Sequence, residues 1–211
     1  MRKPIRGLLV LVGVLTLLPV GEAIAQRRRG LVDVSPDHAR HGFWLAVGLA
    51  AGGDSYRFSN LDDDYSEQLW KPTFSIAAGG TVNPHFRLGG EIKVWADEYF
   101  DDVEQVEVTE SLVGALLVGQ FYPSRRLGLF LKGGVGVSRS GVDLEFGSGT
   151  GESGFSTLLG AGYEARLGRN IFITPFVDLM HHRSSERGSV DGTLHERLVS
   201  VGVNMTFQVG R

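Results

Sequence analysis

The chain has 211 residues, 30 glycines, no cysteine and a formal net charge of −3. That balance argues against nucleic acid as the main partner, and without disulfides the stability has to come from the sheet itself. So many glycines are wrong for a helical protein and suit a closely curved β-structure.

At the start, Arg2, Lys3 and Arg6 form a positive segment, Gly7 to Val20 is apolar, and Ala23-Ile24-Ala25 is a small-x-small cleavage site. This is the pattern of an export signal over residues 1–25, removed after Ala25. The apolar run falls short of the ~20 residues a spanning helix requires. No second run approaches that length, so no helical membrane domain is expected. Removing these residues leaves 18 basic and 23 acidic side chains, a formal charge of −5. Residues 26–41, with Arg27-Arg28-Arg29 and Pro36, read as a periplasmic N-terminal arm. The folded domain is expected over 42–210.

Eight strands are predicted in succession: Phe43–Ala51, Thr73–Val82, Phe86–Ala96, Thr109–Phe121, Leu127–Val137, Phe155–Leu167, Ile171–Leu179 and Leu198–Val209. Apolar residues recur at every second position, the period of a strand. In the last strand Val199, Val201, Val203, Met205, Phe207 and Val209 share one face, opposite Ser200, Gly202, Asn204, Thr206 and Gln208. Thr109–Phe121 is apolar on both faces near its middle, so its inward face is left open. The connections alternate long and short along the chain, as in outer-membrane barrels with short periplasmic turns and long extracellular loops. Strands of ~9–13 residues also cross a bilayer at a tilt of about 45°.

Alternation alone does not separate a membrane barrel from a soluble eight-stranded one with its apolar face inward. Two features favour lipid outside. The polar face is mostly Gly, Ser, Thr and Ala with few charges, unlike a water-exposed surface. Aromatics gather near strand ends, with Phe43, Phe86, Phe121, Tyr122 and Phe207 at the short-turn end and Phe74, Trp95 and Phe155 at the other, like two interfacial girdles. The fold expected is all-β, an eight-stranded antiparallel up-and-down transmembrane β-barrel with a polar, mostly filled lumen.

Particular motifs carry a family resemblance. Ser200-x-Gly202-x-x-Met205-x-Phe207 resembles the C-terminal signal read by the outer-membrane assembly machinery. Gly133-Gly134-Val135-Gly136-Val137, Gly160-Ala161-Gly162-Tyr163 and Arg166-Leu167-Gly168-Arg169-Asn170 resemble the small outer-membrane β-barrel proteins related to the OmpA transmembrane domain and OmpX. The resemblance covers roughly Phe43 to Val209. It implies a monomer in the outer membrane of a Gram-negative bacterium, in contact with outer-membrane lipids and lipopolysaccharide, with no nucleic acid partner and no cofactor. Its role would be structural or adhesive, exerted through the long loops.

Three constellations bear on chemistry. Glu91, Lys93, Lys132, Glu164, Arg166 and Asp178 fall on inward faces, where charges are costly unless paired. They are expected to form a salt-bridged plug, with a narrow gated channel as the alternative. His182-x-Ser184 and Glu196 resemble the His-x-Ser…Glu spacing of the lipid A deacylases of the PagL family, which implies an ester hydrolase with serine as nucleophile and histidine as base. Strand parity turns all three inward, whereas that family's reaction needs them facing lipid. A polar loop beginning at His181 to Ser185 is the plainer expectation. Finally, Asp62-Asp63-Asp64, Glu67, Asp97, Glu98, Asp101, Asp102, Glu104 and Glu107 are expected in or beside two acidic loops. They lack EF-hand spacing, and no metal site is predicted. No P-loop, dinucleotide fingerprint, zinc spacing or nucleophile elbow is present.

Overall fold

The computed structural model describes residues 40–59, 64–101, 106–144, 150–184 and 193–209. The proposed signal segment, the arm up to residue 39, and Asp62, Asp63, Asp102, Glu104 and Ser185 lie outside the described residues. Strands account for nearly all of the rest. They are β1 Phe43–Phe58, β2 Leu69–Asn83, β3 Phe86–Asp101, β4 Val106–Phe121, β5 Leu129–Leu144, β6 Thr150–Tyr163, β7 Ala165–Arg166, β8 Ile171–Ser184 and β9 Leu194–Val209. The two-residue β7 continues β6 along β8 in the same register, so nine stretches make eight barrel strands. Each pairs antiparallel with its sequence neighbour, and β1 closes the ring against β9.

The register fixes the geometry. Following paired residues once around the barrel from Ser55 leads through Arg197, His181, Thr157, Val135, Leu117, Gly90 and Ala78 back to β1 at Leu45. The stagger is therefore ten residues, from 55 to 45. With a rise of about 3.3 Å per residue and strands about 4.8 Å apart, eight strands at this stagger tilt by about 40°. A barrel of this size has an interior that side chains alone can fill.

All eight predicted strands are present, but most run further at the extracellular end than expected. Gly52–Phe58, Asp97–Asp101, Ser138–Leu144, Met180–Ser184 and Leu194–Arg197 are paired strand where loops were predicted. Their outward residues turn polar above the apolar band, which made them read as loop. The ladder continues because each hairpin goes on satisfying its own backbone. His181 to Ser184 therefore lie in β8, and Asp97 and Glu98 in β3.

The faces divide sharply. Leu49, Ile92, Leu117, Val135, Leu159, Val177 and Val201 are outward and exposed, while the alternate residues are buried. On β1, β8 and β9 the outward apolar run ends at Ala51, Leu179 and Val199, and the membrane-spanning segments are taken to end there. Strand β4, unassigned from sequence, points Leu112, Gly114, Leu116 and Val118 inward and Val113, Ala115 and Leu117 outward.

This corrects the expectation of a uniformly polar lumen. Trp44, Ala46, Trp95, Leu112, Leu116, Val118, Leu158, Met180 and Leu198 form a buried apolar cluster inside the barrel. Trp95 and Tyr122, assigned to the aromatic girdles from sequence, are inside as well. Both follow the inward parity of their strands, and each is held by a polar tip: Trp95 Nε1 donates to Gly52 O at 3.0 Å. Gly52 admits the indole, since a Cβ there would stand 3.0 Å from Trp95 Cδ1 and 2.0 Å from Thr73 Oγ1.

Candidate functional site

The lumen is the one place where this sequence gathers charge out of water, and it does so in layers. Along β3 the inward side chains read Arg87, Gly89, Glu91, Lys93, Trp95 and Asp97; along β8 they read Phe172, Thr174, Phe176, Asp178, Met180, His182 and Ser184. Each strand thus contributes in turn to the layers of the lumen.

The lowest layer closes the periplasmic mouth. Glu164 accepts from Arg87 Nη1, and from Arg40 Nε at 3.3 Å. The Tyr122 hydroxyl lies 3.0 Å from the same carboxylate and accepts from Arg87 Nη1 at 2.9 Å. Arg87 Nη2 donates to Gln208 Oε1 at 3.0 Å, and Arg40 Nη2 to Leu127 O at 2.7 Å. The Arg40 guanidinium also lies 3.8 Å from the centre of the Tyr122 ring. The chain enters β1 through Gly42, whose φ of 77° is a conformation open to glycine. Arg40, Arg87, Tyr122 and Gln208 were not predicted as members of this group. Strand parity was the available signal for Arg87, Tyr122 and Gln208. Nothing in the sequence announced Arg40, which precedes the first strand.

The middle layer is a four-residue ion cluster. Asp178 Oδ2 accepts from Lys93 Nζ and from Lys132 Nζ, each at 2.7 Å. Lys132 also donates to Glu91 Oε2 at 3.0 Å, and Lys93 stands 3.8 Å from Glu91. Two ammonium groups face two carboxylates, so the cluster is neutral as a whole. The Phe176 ring flanks both lysines at 5.5 and 5.4 Å. Between these layers a cavity of about 10 Å³, touching Glu91, Gln120, Phe130, Lys132, Glu164 and Asn204, has room for about one water.

Arg166 departs from the prediction. It keeps inward parity but sits in β7 beyond the lumen. Its Nε donates to Gly168 O at 3.1 Å and its Nη2 to Arg169 O at 3.0 Å, so it caps the periplasmic turn. Five of the six predicted interior charges are brought together in the two ionic layers; Arg166 is not.

Above the apolar cluster lies a polar cap, beyond the membrane-spanning segments. His182 Nδ1 is 2.5 Å from Ser138 Oγ, Ser140 Oγ donates to Glu196 Oε1 at 2.7 Å, and Ser184 Oγ donates to Glu152 Oε2. Burial pushes the Glu196 carboxyl up to about 8 and the His182 imidazole down to about 4. Both are therefore neutral at pH 7, and their 3.8 Å separation is a contact between uncharged groups. His182, Ser184 and Glu196 are all buried on the inward face. Ser184 bonds Glu152 rather than His182, so the spacing that resembles a deacylase triad is not assembled as one. Among the described residues no group of three His, Asp or Glu side chains is placed to hold a metal ion.

In the C-terminal strand, Ser200 is fully buried inside, Met205 and Phe207 face outward, and Gly202 lies against Ala50, whose Cβ would be 2.5 Å from a Cβ added there.

A family model described as "Outer membrane protein beta-barrel domain" matches residues 29–207. No curated protein matches. Among solved structures, Neisserial surface protein A is similar with a TM-score of 0.54 at 13% identity, over 79% of this chain and 97% of that one. Ail, the attachment invasion locus protein of Yersinia pestis, solved with the heparin analogue sucrose octasulfate, gives a TM-score of 0.51 at 12% identity, over 78% and 99%. At these identities the likeness is one of fold. The barrel class implied by the sequence resemblance, the small outer-membrane barrels akin to OmpA and OmpX, is the class found.

Proposed function

The chain belongs to the outer membrane protein β-barrel domain family, and from that premise we propose that it acts as a closed barrel, a structural and interaction element of the outer membrane rather than a conduit. The observation that carries this reading is the lumen. Two ionic layers lie in series, and above them Trp95, Leu112, Met180 and Leu198 of the apolar cluster fill the lumen, so any solute path has to part all three. Breaking the Glu164 or Asp178 hub would strand buried guanidinium or ammonium groups, at about 3–5 kcal/mol each. Function then falls to the extracellular strand ends and loops, the usual seat of recognition on a rigid scaffold. The C-terminal strand, with Ser200, Gly202, Met205 and Phe207, serves as the element read during insertion.

Planar-bilayer recording tests the reading. Purified, refolded protein should give no unitary conductance in 1 M KCl; reproducible single-channel steps that vanish on heat denaturation would replace it with the gated channel. A lipid A ester hydrolase is the less favoured reading, because the His182, Ser184 and Glu196 side chains point away from lipid.

A further inference from the structure

Inside the barrel, just above the apolar cluster, the inward side chains carry far more acid than base. Asp54 of β1, Asp97 of β3, Glu110 of β4, Glu152 of β6 and Glu196 of β9 all keep inward parity. The cation facing them is Lys71 of β2, and it is paired with Asp97. β5 adds the hydroxyls of Ser138 and Ser140, and β8 adds His182 and Ser184. The stagger of the barrel brings these residues, far apart in sequence, to one level. Ser140 reaches Glu196, Ser184 reaches Glu152, and the Tyr99 hydroxyl donates to Glu110 at 2.9 Å. Among the described residues no Lys or Arg forms an ion pair with Asp54, Glu110, Glu152 or Glu196. The middle layer sets ammonium groups against its carboxylates; this ring has none left over for four of its own.

Three atoms of the ring lack a hydrogen-bond partner among the described residues: Asp54 Oδ1, Glu196 Oε2 and His182 Nε2. His182 is 0% exposed and each of the two acidic residues 6%, so bulk water does not satisfy them. Buried polar atoms left unmatched are costly. Ser138, 2.5 Å from His182 Nδ1, holds the imidazole with Nε2 toward Glu196 Oε2, 3.8 Å away. With Nδ1–H donating to Ser138, the neutral ring offers Nε2 as an acceptor. Burial first, and then the charge of Glu110, pushes Asp54 up to about 7. Burial also pushes Glu196 up to about 8, outweighing the Ser140 hydrogen bond, and the charges of Asp54, Glu152 and Glu110 add to the rise. Protons are therefore what neutralises the ring when no other cation is present.

The unmatched atoms say which cation could replace them. A primary ammonium carries three N–H donors, one for each unmatched acceptor. A metal ion suits the ring less well, since among the described residues no group of three His, Asp or Glu side chains is placed to hold one. Above the ring, Tyr56 and Phe58 of β1 keep inward parity, with their rings edge to face at 6.2 Å, and Tyr56 is 44% exposed at the mouth. Aromatic faces attract alkylammonium groups. We propose that the extracellular mouth of the lumen binds an aliphatic polyamine, with one terminal ammonium seated among Asp54, Glu196 and His182 and the chain rising past Tyr56 and Phe58. Glu110 and Glu152 supply counter-charge for the remaining ammonium groups, which favours a polyamine over a monoamine. The site is a dead end above the apolar cluster, and in that respect it rests on the closed-lumen reading.

Calorimetric titration of spermidine into refolded protein, at constant ionic strength and at pH 6 and 8.5, tests the site. The wild type should bind about tenfold more tightly at pH 8.5, where Asp54 and Glu196 no longer hold their protons. At that pH D54N/E196Q should bind about tenfold more weakly than wild type, with its heat-modifiable gel migration, the mark of a folded barrel, unchanged. Equal binding by wild type and variant, or a wild-type affinity that does not rise with pH, overturns the site. Magnesium bound as tightly as spermidine overturns the polyamine assignment. If the double variant does not fold, E196Q alone should weaken binding about threefold, and unchanged binding overturns the site. Single-channel steps in planar bilayers would overturn the closed lumen and not the site, whereas absent binding without conductance overturns the site alone.

Discussion

The two ends of the lumen solve one problem in opposite ways. Toward the periplasm and in the middle, buried acidic and basic groups are set against one another in ion pairs: Arg40 and Arg87 on Glu164, and Lys93 and Lys132 on Asp178 with Glu91. At the extracellular end the buried Glu196 and His182 have no such partners and give up their charge instead. A buried ion is stable only when paired; otherwise its proton equilibrium shifts until it is neutral. The paired layers are therefore predicted to be rigid and intolerant of substitution, and the neutral cap to tolerate substitution and respond to pH.

The largest test is E164Q. It leaves two guanidinium groups on a neutral amide, and should cost about 3–5 kcal/mol, read as a lower urea midpoint for the barrel folded into phospholipid vesicles. K132M should cost a similar amount, because Glu91 and Asp178 are then left with Lys93 alone. Adding E91Q to K132M restores one matched pair and should recover at least half of the loss, about 1.5 kcal/mol or more. A double variant no better than K132M would show that the cluster is not held by charge balance.

Smaller, and steric in origin, is G160A. Its Cβ would stand 2.1 Å from Asp178 Oδ1 and 2.8 Å from Val177 O, displacing the carboxylate that bridges the two lysines. A cost of about 1–3 kcal/mol is expected for such overpacking, again read from the urea midpoint.

The smallest effect is E196Q, and its sign depends on pH. The folded-state value of Glu196 is raised to about 8 from an ordinary 4.5, so the folded protein holds a proton that the unfolded chain releases. Stability is thus lost as pH rises from 4.5 toward 8, by up to roughly 1 kcal/mol per unit. His182, lowered to about 4 from 6.5, gives the opposite slope between pH 4 and 6.5, so the two largely offset there. Asp54, raised by burial to about 7 from 3.8, adds a decline of the same sign that ends near pH 7. The Glu196 decline should therefore appear alone between about pH 7 and 8 and be absent in E196Q, which keeps an acceptor for Ser140. Parallel pH profiles for the two proteins would place the neutral cap in error.

Much of this is legible in the sequence. Period-two alternation identified all eight strands and placed Glu91, Lys93, Lys132, Glu164 and Asp178 on inward faces, and the same parity turned His182, Ser184 and Glu196 away from lipid. It failed at strand ends. Arg166 kept the right parity at the wrong depth, and the polar outward residues above the membrane disguised continuing strand as loop. Periodicity reports which way a side chain points and carries no information about height along the barrel axis.

By itself, then, the sequence determined the strand number, the inside and outside of most strands, and the membrane class, because these depend only on local alternation and loop length. The tertiary structure decided the ten-residue stagger, the face of β4, and which inward charges meet. It stacked the ionic, apolar and neutral layers, drew Arg40 into the periplasmic mouth, and brought the carboxylates of β1, β4, β6 and β9 into one ring above the apolar cluster. Those features join residues more than a hundred positions apart, and only closure of the sheet with its particular register brings them to the same height.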